Sequence, residues 1–147
     1  MKYTEASLGR VFILRLEHGD VIPKVIEEFA LNQSLEAATV FFLGGAEKES
    51  QVITGPEDGT AKKIVADVSP LSRVSEAVGV GTIFLNEKRV PTLHLHSAFG
   101  NREGTTTGCT RKGVTIWHIG EVIILELLNH SAHRRLNPDM GFELLEV

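Results

Sequence analysis

The sequence predicts an α+β domain: one main helix packed on a curved, mostly antiparallel, seven-stranded sheet, with residues 1–147 forming a single domain. Three observations lead there. Only one stretch, "GDVIPKVIEEFALNQS", repeats its apolar residues at helical spacing. Most of the remaining chain is β-branched and alternates with period two. Turn-forming clusters divide those stretches, and no linker, low-complexity tract or internal repeat interrupts them.

In chain order, "GRVFILRLEHG" places Val11, Ile13 and Arg15 on one face and Phe12, Leu14 and Leu16 on the other. It is expected to be a strand buried largely on both sides. The helix follows, with Asp20 as N-cap and Pro23 in the first turn. Its stripe of Val21, Ile22, Val25, Ile26, Phe29 and Ala30 faces the core, while Lys24 and Glu28 pair on the wet side. The strands expected next are "AATVFFLGGA", "SQVIT", "KKIVADVS", "VSEAVGVGTIFL", "PTLHLHSAF", "GVTIWHIGEVIILELL" and a short "FELLEV". Turns fall at "GPEDGT", "NEKRVP", "GNREG" and "NPDMG". Gly44, Gly45, Gly79 and Gly81 permit bulges or sharp bends.

A chain of 147 residues, 42% hydrophobic and 23% charged, can bury a core without staples. Its apolar runs, such as "VIILELL", are too short to span a bilayer, and "MKYTEASLGR" offers no apolar core for a signal peptide. With a single cysteine no internal disulfide forms, so the cytoplasm is the expected location and no membrane partner is expected. A formal charge of −4 gives no global field toward nucleic acid. Two local basic groups, Arg111 with Lys112 and Arg134 with Arg135, are the candidate DNA contacts; solvated surface is the more ordinary reading.

The chemistry concentrates in "LHLHSAFGNREGTTTGC". Residues two apart in a strand share a face, so His94 and His96 point together while Leu93 and Leu95 pack behind them. A hairpin or loop through "GNREGTTTG" brings Cys109 back beside that strand. Two imidazoles and a thiolate suit Zn²⁺ and leave a fourth position open. The plain alternative is two polar residues on a wet sheet face and a cysteine acting as a small buried hydrophobe. His118, in "TIWHIGE", is a candidate fourth ligand, with an ordinary strand histidine as the commoner reading. His18 reads as a turn residue, and His130 and His133 as solvated or interfacial.

At this point the chain resembles the plant-and-prokaryote-conserved (PPC) domain family in its stand-alone prokaryotic form. The opening strand through "LRLEHGDVIPKVIEEFA", the passage "FFLGGAEK" and the His-x-His segment with its downstream glycines carry the resemblance over nearly the whole chain. It implies a homotrimer and a zinc ion on the histidine pair. In the family pattern the segment ends in Gly-Gly-His, and that third histidine joins the pair; here Cys109 stands in its place after Gly108. In plants the domain follows an AT-hook, an Arg-Gly-Arg arm that this sequence does not contain.

Two functions follow as expectations. The first is a trimeric, zinc-binding, transcription-associated protein that contacts DNA through Arg111, Lys112, Arg134 and Arg135 or binds a protein partner. The second is a zinc-dependent enzyme acting on a small molecule through metal-activated water, with Glu103 or Glu121 as general acid/base. A plain interaction module, with an incidental histidine face, is the third reading.

Overall fold

A computed structural model describes residues 1–61 and 64–147. The chain runs through β1 (Ser7–Glu17), β2 (Val21–Ile22), α1 (Lys24–Asn32), β3 (Ala37–Ala46), β4 (Gln51–Pro56), β5 (Ala66–Pro70) and β6 (Ser75–Leu85). It continues through β7 (Pro91–Asn101), β8 (Gly104–Cys109), one 3-10 turn (Thr110–Lys112), β9 (Val114–Leu128), β10 (His133–Asn137) and β11 (Phe142–Glu146). Of the strand expected at "KKIVADVS", Lys62 and Lys63 lie outside the described residues.

Nine strands form one sheet in the order β1-β9-β3-β6-β7-β8-β4-β5, with β2 also paired to β9. Strands β10 and β11 form a separate two-stranded ribbon. Every pairing among the described residues is antiparallel.

This architecture corrects the expected one. The chain is 60% strand and 8% helix, a mainly-β fold on a nine-stranded sheet rather than an α+β domain with seven strands under one main helix. Two of the sheet's nine strands, β2 and β8, were not expected as strands, and neither was β10 of the separate ribbon. Val21 and Ile22, read as the start of the helical stripe, instead pair with Thr115 and Val114 as β2. The glycine-flanked threonines of β8 form a true strand, as β-branched residues favour. The basic group at His133–Asn137 is β10.

The helix is correspondingly short, nine residues, and buries Ile26 and Ala30. Its N-cap is Pro23, with no side-chain capping bond. Asp20, the expected cap, accepts from the Glu17 amide at 2.9 Å and closes the turn before β2.

One face of the sheet supplies the main core. Val40 and Phe42 of β3, Leu95 and Phe99 of β7, and Val122 and Ile124 of β9 meet Ile26 and Ala30 there. Burying each large apolar side chain contributes about 1.5–3 kcal/mol, so this layer dominates stability. The opposite face is largely uncovered in the single chain. Ile13 on β1 lies opposite Ile123 on β9, Ile123 opposite Phe41 on β3, and Phe41 opposite Val80 on β6. Residues paired in register share a face, so these four form one apolar row. Val11 and Ile13 are 61% and 83% exposed, which corrects the expectation that β1 is buried on both sides.

The β3–β9 register shifts between Gly44 and Gly45, where Trp117 and Gly120 are their partners. The bulge leaves His118 with a left-handed φ of 61°.

Candidate metal centre

Strand β7 alternates as its sequence requires: Leu93 and Leu95 enter the core, while half-buried His94 and exposed His96 point to the outer face. Their Nε2 atoms are 3.0 Å apart and the rings cross at 82°. At residues 101–104 the chain turns, with Asn101 Oδ1 accepting from the Glu103 amide at 2.8 Å, and β8 returns along β7. Cys109 therefore lies directly opposite His96, buried, with Ile53 of β4 on its other side.

Glycines make this convergence possible. A Cβ on Gly81 would sit 2.5 Å from the His94 carbonyl and 2.8 Å from Leu95 Cα, so β6 approaches the histidine strand only without a side chain. Gly108 meets the Ile53 carbonyl of β4 in the same way.

The ligand atoms of His94, His96 and Cys109 all lie within 4.8 Å of one another. Tetrahedral zinc with bonds of about 2.0–2.1 Å to nitrogen separates two such nitrogens by about 3.3 Å, close to the spacing of the pair. The donor set can hold a metal ion. Burial, then the neighbouring charges of His96, Arg134 and Arg111, push the His94 pKa down to about 4. That keeps the imidazole neutral at ordinary pH, the form a metal requires.

A buried cation stands beside the cluster. Arg134, on β10, is only 4% exposed. Its Nε donates to the Thr92 carbonyl at 3.2 Å, and its Nη2 donates to the Thr82 carbonyl at 3.2 Å and to Thr82 Oγ1 at 3.0 Å. Thr82 is the register partner of His94, so the guanidinium sits one strand from the metal-capable pair. Its plane also lies over Phe84, 5.8 Å from the ring centre. Glu27 of α1 accepts from the Leu93 amide at 2.8 Å, and burial raises its pKa.

A cavity of about 830 Å³ opens onto the cluster, with His94, His96, Cys109, Arg111, Lys112 and Arg134 among its walls. A smaller one, about 320 Å³, shares His94, Arg111 and Arg134 and reaches Glu27.

The other candidate residues lie elsewhere. Arg111 and Lys112 are exposed on the 3-10 turn at the cavity rim. Arg135 is exposed and paired with Glu87 at 3.8 Å and Glu146 at 3.6 Å. His118 is away from the cluster: its amide donates to His18 Nδ1 at 3.2 Å, and its ring lies 4.2 Å from that of Trp117. Glu103 is held by Arg73 and Ser72, each at 3.0 Å, and Glu121 faces Arg15; neither lines the cavity. His130 sits edge-on to Phe84. Sequence reasoning missed the inward turn of Arg134 and the presence of Glu143 in the cavity wall. In sequence His133, Arg134 and Arg135 are all polar, so no alternation marked the middle one as buried.

The sequence profile of the Plants and Prokaryotes Conserved (PCC) domain matches residues 3–128. The chain belongs to the PCC domain family. Among solved structures, the PCC domain here is similar to a plant- and prokaryote-conserved protein of Pyrococcus horikoshii, with a TM-score of 0.84, 22% identity and coverage of 100% of this chain and 99% of that one. It is also similar to the metal-containing protein AF0104 of Archaeoglobus fulgidus, with a TM-score of 0.82, 23% identity and full coverage of both chains. A third structure, from Ralstonia eutropha JMP134 and described provisionally as a DNA-binding protein, matches with a TM-score of 0.69, 20% identity and coverage of 92% and 90%. At these identities the likeness establishes the fold alone. No curated protein matches this sequence significantly. Among the described residues of this PCC domain, no helix is long and apolar enough to cross a membrane.

Proposed function

We propose that this PCC domain is a zinc-binding protein that holds Zn²⁺ through His94, His96 and Cys109, assembles as a homotrimer and acts as a DNA-associated regulator. The observation that carries the reading is the convergence of one thiol and two imidazoles, one of them kept neutral, on a single point of the outer sheet face. The metal-containing description of the Archaeoglobus protein supports it, as does the suitability of a mixed nitrogen and sulfur set for zinc. Self-assembly is supported by the exposed row of Ile13, Ile123, Phe41 and Val80, an apolar face that a single chain leaves in water. The provisional DNA-binding description of the Ralstonia protein and the exposed Arg111 and Lys112 support the nucleic-acid role.

The test is elemental analysis of tag-free protein alongside a DNA-binding titration at several salt concentrations. About one zinc per chain and affinity that falls steeply with salt are expected. Metal-free protein sinks the first half of the reading, and absence of DNA binding at low salt sinks the second.

The cavity of about 830 Å³ beside the cluster favours a second reading, an enzyme acting on a small molecule. Bound zinc would supply a Lewis acid and a water whose pKa is lowered toward about 7. The chain's own contribution is to keep His94 neutral, to fix His96 and Cys109 on paired strands, and to place Arg134 beside them. Turnover abolished by a chelator and restored by zinc is the expected outcome under this reading.

A further inference from the structure

We propose that the cavity beside the His-His-Cys cluster binds a small organic anion, with a carboxylate or phosphate group on Arg134, Arg111 and Lys112 and an apolar body against the apolar part of the lining. The inference deepens the metal-site reading, since the cluster forms one wall of the cavity, but its main anchor belongs to the protein alone.

That anchor is Arg134. A guanidinium has five N–H donors, and here Nε and Nη2 are engaged with Thr92 and Thr82. Nη1 has no hydrogen-bond partner among the described residues, and no carboxylate among them lies within ion-pair distance of this 4% exposed side chain. Glu143 and Glu27 act on Arg134 only through space; a buried cation with no carboxylate in contact is costly to maintain, and its fork matches the two oxygens of an oxyanion. The side chain lines both cavities, and Nη1 is not among the fully buried unpartnered polar atoms, so a ligand in the space beside His94 can reach this side chain.

Charge in the larger cavity points the same way. Among the described residues its walls carry three cations, Arg111, Lys112 and Arg134, against the single carboxylate of Glu143, a local balance of +2 in a chain whose formal charge is −4. Ile53, Phe142 and Leu145 give the same cavity an apolar side. Its volume, about 830 Å³, suits a metabolite-sized ligand rather than a macromolecule.

The test uses the full chain, first stripped of metal and then loaded with zinc, titrated calorimetrically with benzoate, phenyl phosphate and uncharged benzyl alcohol. Metal-free protein is expected to bind at least one of the two anions, and the tighter of them identifies the headgroup. Benzyl alcohol is expected not to bind. Arg134→Lys, which keeps the charge and loses the fork, is expected to weaken the anion about tenfold. The surface double variant Arg111→Ala/Lys112→Ala tests the rim without touching the fold and is expected to weaken it several-fold. Equal binding of benzyl alcohol, unchanged affinity in both variants, or no anion binding at millimolar concentration overturns the proposal. Because the first titration is done without metal, a protein that binds anion but no zinc refutes only the metal reading. One that binds zinc but no anion refutes only this one.

Discussion

His96 and Cys109 are direct partners across the β7–β8 pair, thirteen residues apart in sequence and opposite one another in register. Their spacing is therefore set by backbone hydrogen bonds rather than by loop conformation, which pre-organises two of the three proposed ligands. Replacing either should remove bound metal outright. Cys109→Ala and His96→Ala are each expected to purify with far less than one zinc per chain by elemental analysis. Cys109→His, which restores a nitrogen donor at the same register position, is expected to retain zinc.

The tight approach of β6 to β7 yields a second expectation. Gly81→Val adds a side chain where even a Cβ would meet the His94 carbonyl at 2.5 Å. The strands must separate, at a cost of about 1–3 kcal/mol, and the histidine pair moves with them. Urea denaturation should show the loss; a change within about 0.5 kcal/mol, the range of ordinary surface substitutions, would contradict the geometry.

Acid sensitivity should trace in part to Glu126. Its buried carboxylate accepts from the Arg10 amide at 2.9 Å, Nε at 2.8 Å and Nη2 at 2.6 Å, and the Arg10 side chain holds its pKa down to about 2. A carboxylate whose folded pKa lies below its unfolded value, about 4.3, stabilises the fold fully above that value. The contribution is lost as pH falls from there toward 2. Glu126→Gln should therefore be less stable than the parent at neutral pH and show a flatter dependence of urea midpoint on pH below about 5. Parallel curves for the two proteins would contradict this.

Phe41 stands in the middle of the uncovered apolar row and is 42% exposed. Phe41→Glu should leave the core intact while making a subunit interface there untenable, because it buries an unpaired charge. Light scattering coupled to size exclusion is expected to show a trimer mass for the parent and a monomer mass for the variant, with unchanged far-UV circular dichroism. A parent that runs as a monomer would remove the homotrimer.

Where one face of a strand meets the core and the other meets water or a partner, the sequence was readable. "AATVFFLGGA" became β3 residue for residue, and the alternation around His94 and His96 placed both imidazoles on one side. What stayed hidden depends on partners far away in the chain. Val21 and Ile22 carry a helical period, yet strand pairing with β9 claims them. The threonines of β8 looked like loop because glycines flank them, although their β-branched shape suits the strand they form. Arg134 looked like solvated charge, and only the fold of β10 over β6 and β7 brings it to Thr82 and Thr92. No local pattern announces a cavity.

The apolar row on the outer face does not stop at Val80. Val80 is in register with His96, and His96 with Cys109, so Ile13, Ile123, Phe41, Val80 and the two ligands form one line across six strands. Adjacent strands are about 4.8 Å apart, so whatever settles on Val80 comes within one strand of the imidazole. If subunits dock on this face and an ion binds at its end, linkage is reciprocal: any factor by which one changes the affinity of the other is returned unchanged. For a coupled trimer and metal site, a concentration series of the protein would then read out as a metal titration, and a metal titration as an assembly curve.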